Sequence, residues 1–251
     1  MKRRSVLAAI GSLGSLGGLH YTTRPRRDTL EVRFWLSEHA AQYDIVETIQ
    51  AYLEWALDYD FWSLDVSYGG HQVLEREQGA WPVRSGRWPL RVGAGGVGAD
   101  TVETARDVNL LVTAGEMNQA PTGYAMPHIA SVGGAQYLEA LGPPVEQSIR
   151  PYTRSNFSMQ VLLHEVGHTL GLQHDHGTIF KQGPTTVATP MVSAYAWDDE
   201  FQATHSRCGD AYVPRDQREE TREGRPARAI SLEFSSCSRD RLSSYRGGVR
   251  P

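Results

Sequence analysis

The stretch His164-Glu-Val-Gly-His-Thr-Leu-Gly-Leu-Gln-His-Asp175 decides how this chain is interpreted. It fits the pattern H-E-x-x-H-x-x-G-x-x-H, in which each fixed letter has a separate mechanical role. On a helix, His164 and His168 lie four residues apart, so both imidazoles project from one face and can bind a single ion. Glu165 is next to the first histidine, where its carboxylate can take a proton from water at the open position of that ion.

A glycine and a third histidine complete the pattern. Gly171 permits a turn with positive φ that ends the helix, and this turn brings His174 toward the other two histidines. His176 is a rival for the third position, although the spacing from Gly171 favours His174. Three histidine ligands with one open position are typical of a catalytic zinc site, so we expect one Zn²⁺ and Glu165 as the general base. The alternative is an amphipathic helix that carries histidines by chance.

These residues resemble the metzincin clan of zinc endopeptidases, and within it the adamalysin (reprolysin) type. Metzincins have a methionine-bearing turn beneath the metal, and Thr-Pro-Met-Val-Ser-Ala-Tyr places Met191 at a suitable distance downstream. Asp175, directly after the third histidine, resembles the residue that marks adamalysins. Glu-Phe-Ser-Ser-Cys-Ser-Arg-Asp, residues 233–240, is similar to the segment that leads into their C-terminal helix. The resemblance is closest over residues 157–175.

The resemblance implies an α+β fold with a twisted mixed sheet, the active-site helix and a smaller, irregular C-terminal subdomain. It implies hydrolysis of peptide bonds, with a protein or peptide bound in extended form along an edge strand. Residues 192–196 would form the wall of a pocket beside the zinc. Gly171, Asp175 and Met191 would support the site structurally, with Asp175 tying the turn after the motif to the lower subdomain.

The role of one residue and the function of the chain each have an alternative interpretation. Tyr195 stands four residues after Met191, farther than the tyrosine that supplies an extra zinc ligand in astacins and serralysins. We therefore expect Tyr195 to be a packed wall residue. The second functional hypothesis is a non-catalytic, zinc-stabilised binding protein of the same fold. Glu165 argues against it, because a structural zinc site has no use for a general base.

The N-terminus predicts export. Met-Lys-Arg-Arg-Ser-Val-Leu is followed by a weakly apolar run to Leu19, a pattern that resembles a twin-arginine signal. We expect a signal with a short linker at 1–27, a secreted protein and no stable membrane span after its removal; a disordered basic tail is the alternative. Of the 25 basic residues only Lys2 and Lys181 are lysines, a bias similar to that of exported haloarchaeal proteins.

The chain has only two cysteines, Cys208 and Cys237. An oxidising compartment outside the cell would allow them to pair, and two free thiols are the alternative. Closing a loop of about thirty residues would stabilise the fold by roughly 3–4 kcal/mol in the chain-entropy model.

Composition excludes other classes of function. The chain has 251 residues, 40% of them hydrophobic, which suffices for one well-packed domain. We expect a monomeric catalytic domain at 28–251, with an upper subdomain at 28–175 and a lower one at 176–251. The net charge of −4 gives no indication of a positively charged surface that would bind nucleic acid. The glycine-rich stretch 93–98 lacks the Lys-Ser/Thr of a phosphate loop, so nucleotide binding is rejected.

Hydrophobic periodicity predicts the elements around the motif. The sequence favours an active-site helix over 157–170, with Ser155 or Asn156 as its N-cap. This helix is expected to bury Val161, Leu162 and Val166 against a sheet. The other predicted elements are strands at 30–37, 63–68 and 107–113, an edge strand within 123–131, and helices at 43–58 and 239–245. The remaining segments, 69–100, 142–156 and 198–229, are expected to be irregular, the first of them a surface excursion.

Overall fold

A five-stranded sheet organises the first half of the chain. The computed structural model describes residues 29–118, 120–144, 148–183, 185–192 and 228–247. The strands of this sheet are β1 (Thr29–Ser37), β2 (Ser63–Gln72), β3 (Val108–Val112), β4 (Gly123–Met126) and β5 (Ile129–Val132). Their spatial order is β2-β1-β3-β5-β4, and all pairs are parallel except β4 with β5. The sheet therefore ends at β4 in an antiparallel edge.

Six α-helices pack around the two sheets in the described part of the chain. They are α1 (Val46–Leu57), α2 (Trp81–Arg84), α3 (Arg87–Gly96), α4 (Ala135–Leu138), α5 (Arg154–Thr169) and α6 (Ser236–Ser243). Two short 3₁₀ helices, Ala40–Gln42 and His174–His176, add single turns. The predicted helix at 43–58 and the three predicted strands at 30–37, 63–68 and 107–113 are confirmed to within a few residues.

The five-stranded sheet is covered on both faces. Phe34 and Leu36 of β1 join the main core with residues of α1 and α5. Trp35 points to the other face, where its ring meets Trp88 of α3 edge to face at 5.0 Å. The prediction of a surface excursion at 69–100 is thus wrong, because two helices in this segment bury a second apolar cluster against the sheet. Its members are Trp35, Val83, Trp88, Val92, Val102 and Leu111.

The helix α5 carries the motif and crosses the main core. Val161, Leu162 and Val166 belong to this core, as predicted. The helix starts earlier than expected, at Arg154, and its N-cap is Thr153 rather than Ser155 or Asn156. The Thr153 hydroxyl oxygen accepts the backbone N–H of Asn156 at 3.2 Å. The N-cap thus lies two residues before Ser155, a difference in helix boundary that the sequence alone does not resolve.

A second sheet replaces part of the expected irregular region. It contains β6 (Ile149–Pro151), β7 (Ile179–Gln182), β8 (Thr185–Ala188) and β9 (Arg228–Ser231) in the order β6-β9-β8-β7. The expectation of a loop throughout 142–156 is wrong at β6. The expectation of an irregular lower subdomain is wrong for the described residues after Asp175. These strands have only three or four residues each, so no periodic pattern reveals them.

Several predictions lie outside the described residues. These concern the export signal at 1–27, Tyr195 with most of the pocket wall at 192–196, Cys208 and most of the segment 198–229. Cys237 lies in α6 and is not a free thiol, and its pairing with Cys208 stays a prediction. Within the described ranges, no helix combines the length and the apolar character needed to cross a membrane.

Candidate metal centre and active site

The motif folds as a helix followed by a tight turn, and this brings three imidazoles together. Gly171 adopts a φ of +84°, the left-handed conformation that the pattern predicts for the end of the helix. Its N–H donates to the carbonyl of His168 at 3.0 Å. The turn returns the chain so that the Nε2 atom of His168 lies 3.0 Å from that of His164 and 3.1 Å from that of His174.

Two backbone carbonyls set the orientation of the rings on α5. The Nδ1 atom of His164 lies 2.7 Å from the carbonyl oxygen of Pro190, and that of His168 lies 2.8 Å from the carbonyl oxygen of Leu172. A carbonyl oxygen only accepts, so each Nδ1 must carry the proton. Each Nε2 then presents a lone pair to its neighbours. Lone pairs that face one another at 3.0 Å repel, unless a cation lies between them.

The donor set fits zinc. Zinc–nitrogen bonds of about 2.0–2.1 Å in a tetrahedral site place two ligand nitrogens roughly 3.3 Å apart. The observed Nε2 separations of 3.0 and 3.1 Å are slightly shorter, within the reach of a small side-chain adjustment. In the part of the chain that the structure describes, His164, His168 and His174 form the one group of three or more such side chains with metal-ligand spacing.

The electrostatic environment keeps the three rings neutral. Burial, followed by the proximity of His168, lowers the pKa of His164 to about 3. Burial likewise lowers the pKa of His168 to about 4. The pKa of His174 is also lowered by burial, against the opposing effect of the Asp175 carboxylate. Only the neutral imidazole can donate a lone pair to a metal, so these shifts favour metal binding at neutral pH.

Glu165 is a buried carboxyl that directly follows the first of the three histidines on α5. Its exposed fraction is 7%, and this burial raises its pKa to about 8. A carboxyl group with a strongly perturbed pKa next to a cluster of metal-binding side chains is typical of a general base or acid. Its side chain lies against Gly123 at the start of the edge strand β4.

The predicted supporting residues are all close to the cluster. The sulfur of Met191 occupies the space that a Cβ on Gly167 would need, so the methionine packs directly beneath α5. Asp175 lies beside its neighbour, with its Oδ1 atom 3.6 Å from the Nδ1 of His176. Met191 is fully buried and its sulfur lies against Gly167, which is consistent with packing rather than ligation.

His176 braces the turn and does not join the other three rings. Its Nδ1 atom accepts the backbone N–H of Gln173 at 2.8 Å, which closes the 3₁₀ turn that presents His174. Its carbonyl oxygen accepts the hydroxyls of Ser235 and Ser238 at 2.7 and 3.0 Å. The turn after the motif is therefore tied to the N-terminus of α6 by two serines.

Sequence reasoning missed four contributors to this site. Ser235 and Ser238 lie in the stretch that resembles the segment before an adamalysin C-terminal helix, but a serine has no signature for such a contact. The carbonyl of Pro190 acts through the backbone and leaves no signal in the letters. Gly123 gave no signal either, because its role depends on how β4 is placed over α5. His128 lies apart from the cluster, with its Nδ1 atom 3.0 Å from the carbonyl of Asp107.

Comparisons with known proteins add little to this geometry. No protein-family model matches the chain, and neither does any curated protein. Among solved structures, the chain is similar to archaemetzincin from Methanopyrus kandleri, with 19% identity over 60% of this chain and 78% of that chain, at a TM-score of 0.35. A likeness of this degree assigns no activity, so the site is interpreted from its own side chains.

Proposed function

We propose that this chain is a secreted zinc-dependent endopeptidase. The observation that carries the proposal is the convergence of three neutral imidazoles through their Nε2 atoms, on a helix that also carries the buried carboxyl of Glu165. His164, His168 and His174 would hold one Zn²⁺ and leave a position open to water and substrate. A closed structural site would need a fourth protein ligand and no adjacent acid.

When bound, zinc supplies a Lewis acid that polarises the scissile carbonyl and makes its water more acidic. Glu165 would take a proton from the attacking water and deliver it to the leaving amine. Its burial suits this double role, because a pKa raised toward neutrality lets one carboxyl both accept and donate a proton. The carbonyls of Pro190 and Leu172 hold His164 and His168 in the tautomer that leaves Nε2 free.

The edge strand β4 supports an extended peptide as substrate. It is the terminal strand of the five-stranded sheet in the described part of the chain, and it pairs only with β5 there. Tyr124 and Met126 project from it with exposed fractions of 45% and 41%. An extended chain can add to such an edge through main-chain hydrogen bonds, with Glu165 directly behind the strand.

The alternative is a zinc-stabilised binding protein without activity. A peptidase assay on the zinc-loaded protein, with and without a chelator, separates the two. Hydrolysis of an unstructured protein substrate that stops on chelation and returns with zinc is expected. Tight zinc binding with no hydrolysis of any peptide in a broad library would support the alternative.

Four finer assignments belong to the same proposal. The adamalysin type rests on Asp175 and on the stretch 233–240. Export through the twin-arginine pathway rests on residues 1–19, and the Cys208–Cys237 pair rests on the cysteine count and on the bonded state of Cys237. A monomeric state is proposed as the simplest arrangement for a peptidase whose three proposed zinc ligands and general base all come from one chain.

A further inference from the structure

The backbone of β4 passes unusually close to the carboxyl of Glu165. A Cβ atom built on Gly123 would lie 2.6 Å from Oε1, 2.8 Å from Cγ and 2.9 Å from Cδ of Glu165. Real Cβ atoms essentially never approach other heavy atoms below 3.0 Å. All three of the nearest atoms belong to this one side chain, so the acid is the first group that a side chain at position 123 would meet.

The neighbouring residues of β4 show that the strand itself tolerates side chains. Alternate residues of a strand share a face, so Ala125 lies on the same side as Gly123. Ala125 carries a Cβ and packs against the main core. Gly123 is paired with Val132 of β5 in regular antiparallel register, and its φ is not positive. The backbone conformation at position 123 therefore does not require a glycine. The Glu165 side chain packed against it does.

We infer that Gly123 is a positioning residue for the general base: the missing side chain creates the recess in which the Glu165 carboxyl is held against the edge strand. This inference rests on the proposed function of Glu165. Any side chain at position 123 would push the carboxyl out of the recess, away from the strand where substrate binds. Displacing a catalytic group by about 1 Å commonly costs on the order of a hundredfold in rate.

The contact is tested first by thermal stability, without reference to activity. Gly123→Ala is combined with three residues at position 165 in the full chain: glutamate, its equal-sized analogue in Glu165→Gln, and the truncated Glu165→Ala. We expect the added methyl to lower the melting temperature by about 5 °C beside glutamate or glutamine, since overpacking a filled site is destabilising. Beside alanine the cost should vanish. An equal loss in all three backgrounds, or failure of all three to fold, would overturn the inference.

Gly133→Ala is the matched control. It adds a methyl to a glycine near the same β4–β5 hairpin, but this Cβ would meet the carbonyl oxygen of Gly115 at 2.7 Å instead of Glu165. Its cost in melting temperature should be the same in the glutamate, glutamine and alanine backgrounds. If the loss of melting temperature caused by Gly133→Ala also depends on residue 165, the comparison does not measure the contact between Gly123 and Glu165.

Kinetics then separate a positioning role from a merely structural one. With zinc content equal to that of the wild type, Gly123→Ala should lower kcat about 10- to 100-fold and change KM by less than about threefold. An unchanged kcat would overturn the inference while the proposed function stands. Absence of hydrolysis by the zinc-loaded wild type would instead overturn the proposed function, and the stability cycle would still decide whether Gly123 makes room for Glu165.

Discussion

The Nδ1 atom of His164 donates a hydrogen bond to the carbonyl oxygen of Pro190, 2.7 Å away. This bond joins the motif helix to the segment that carries Met191, the residue packed against Gly167 from below. The first proposed ligand and its supporting methionine are thus connected through one backbone carbonyl. The carbonyl also fixes which nitrogen of the ring faces the other two histidines.

Glu165→Gln should abolish turnover while zinc remains bound. The amide keeps the shape of the side chain but cannot accept a proton, so we expect kcat to fall by at least about 100-fold. The measurement pairs zinc content with kcat on a peptide substrate. Glu47→Gln, an exposed change in the first turn of α1, is the control for loss of a carboxyl. A zinc-loaded Glu165→Gln protein with more than a few per cent of wild-type kcat would refute the general-base role.

His174→Ala and His176→Ala should affect zinc binding differently. Removing His174 deletes a ligand, and zinc should be lost to a competing chelator at least about 100 times more readily. Removing His176 keeps all three proposed ligands but deletes the acceptor for the Gln173 N–H, so zinc affinity should fall about tenfold. Competition titrations with a chromogenic chelator measure both. The reverse order of effects would assign the third ligand to His176.

The stability of the zinc-free protein should depend on pH through Glu165. Burial raises the pKa of this group from 4.5 to about 8, so folding favours its protonated form. The contribution of Glu165 to the free energy of unfolding is fully present below pH 4.5, declines as the pH rises to 8 and is lost above that. Glu165→Gln should therefore be more stable than wild type at pH 8.5 by on the order of a few kcal/mol.

The two chelated proteins should have equal free energies of unfolding near pH 4, where Glu165 is protonated in both the folded and unfolded states. The histidines are common to both proteins, so their titration cancels in the difference. Denaturant melts across this pH range measure the difference in free energy of unfolding between the two proteins. A difference that does not change between pH 4 and pH 8.5 would contradict the raised pKa.

Thr153→Ala should destabilise the protein, whereas Ser155→Ala should have little effect. Thr153 accepts the N–H of Asn156 at the start of α5, and loss of an N-cap typically costs about 1 kcal/mol. For a chain of this size the melting temperature should fall by roughly 2–4 °C. Thermal melts of the two variants side by side provide the comparison. An equal fall in both would move the cap back to the position that the sequence alone favours.

Reduction should lower the melting temperature without releasing zinc, if Cys208 pairs with Cys237. The loop closed by this pair predicts a stabilisation of roughly 3–4 kcal/mol, equivalent to about 10 °C. A phosphine that binds zinc weakly is the reductant. The double variant Cys208→Ser/Cys237→Ser should melt like the reduced protein and should not respond to the phosphine. Identical melting temperatures for oxidised wild type and the double variant would exclude a stabilising bridge.

Local patterns predicted those parts of the molecule that local physics determines. The spacing of His164 and His168, and the positive φ of Gly171, follow from helix geometry and glycine sterics, so short-range reasoning found them. The strands β1 and β3 have long enough apolar patterns to be recognised in the same way. The predicted ends of β1 and β3 lie within one residue of the observed ends.

Other parts depend on contacts between distant segments. The cluster of Trp35 with Trp88 forms only because α3 folds back on the sheet, and a stretch rich in glycine and arginine gives no sign of that. The second sheet pairs β9 with β6 and β8, strands of three or four residues separated by long intervals of chain. The recess at Gly123 likewise exists only after β4 lies over α5. No periodicity encodes such approaches, which tertiary packing decides.

The two serine hydroxyls on the His176 carbonyl come from residues 59 and 62 positions later in the chain. The brace on the turn that presents His174 therefore forms by closing a long loop, which is a slow, non-local event in folding. A synthetic peptide covering residues 157–180 would contain every proposed ligand and yet lack these donors, the Pro190 carbonyl and the covering strand. Affinity for zinc and alignment of the acid should thus emerge only from the assembled chain, so that a nascent or partly unfolded copy has the complete motif but no working cleft.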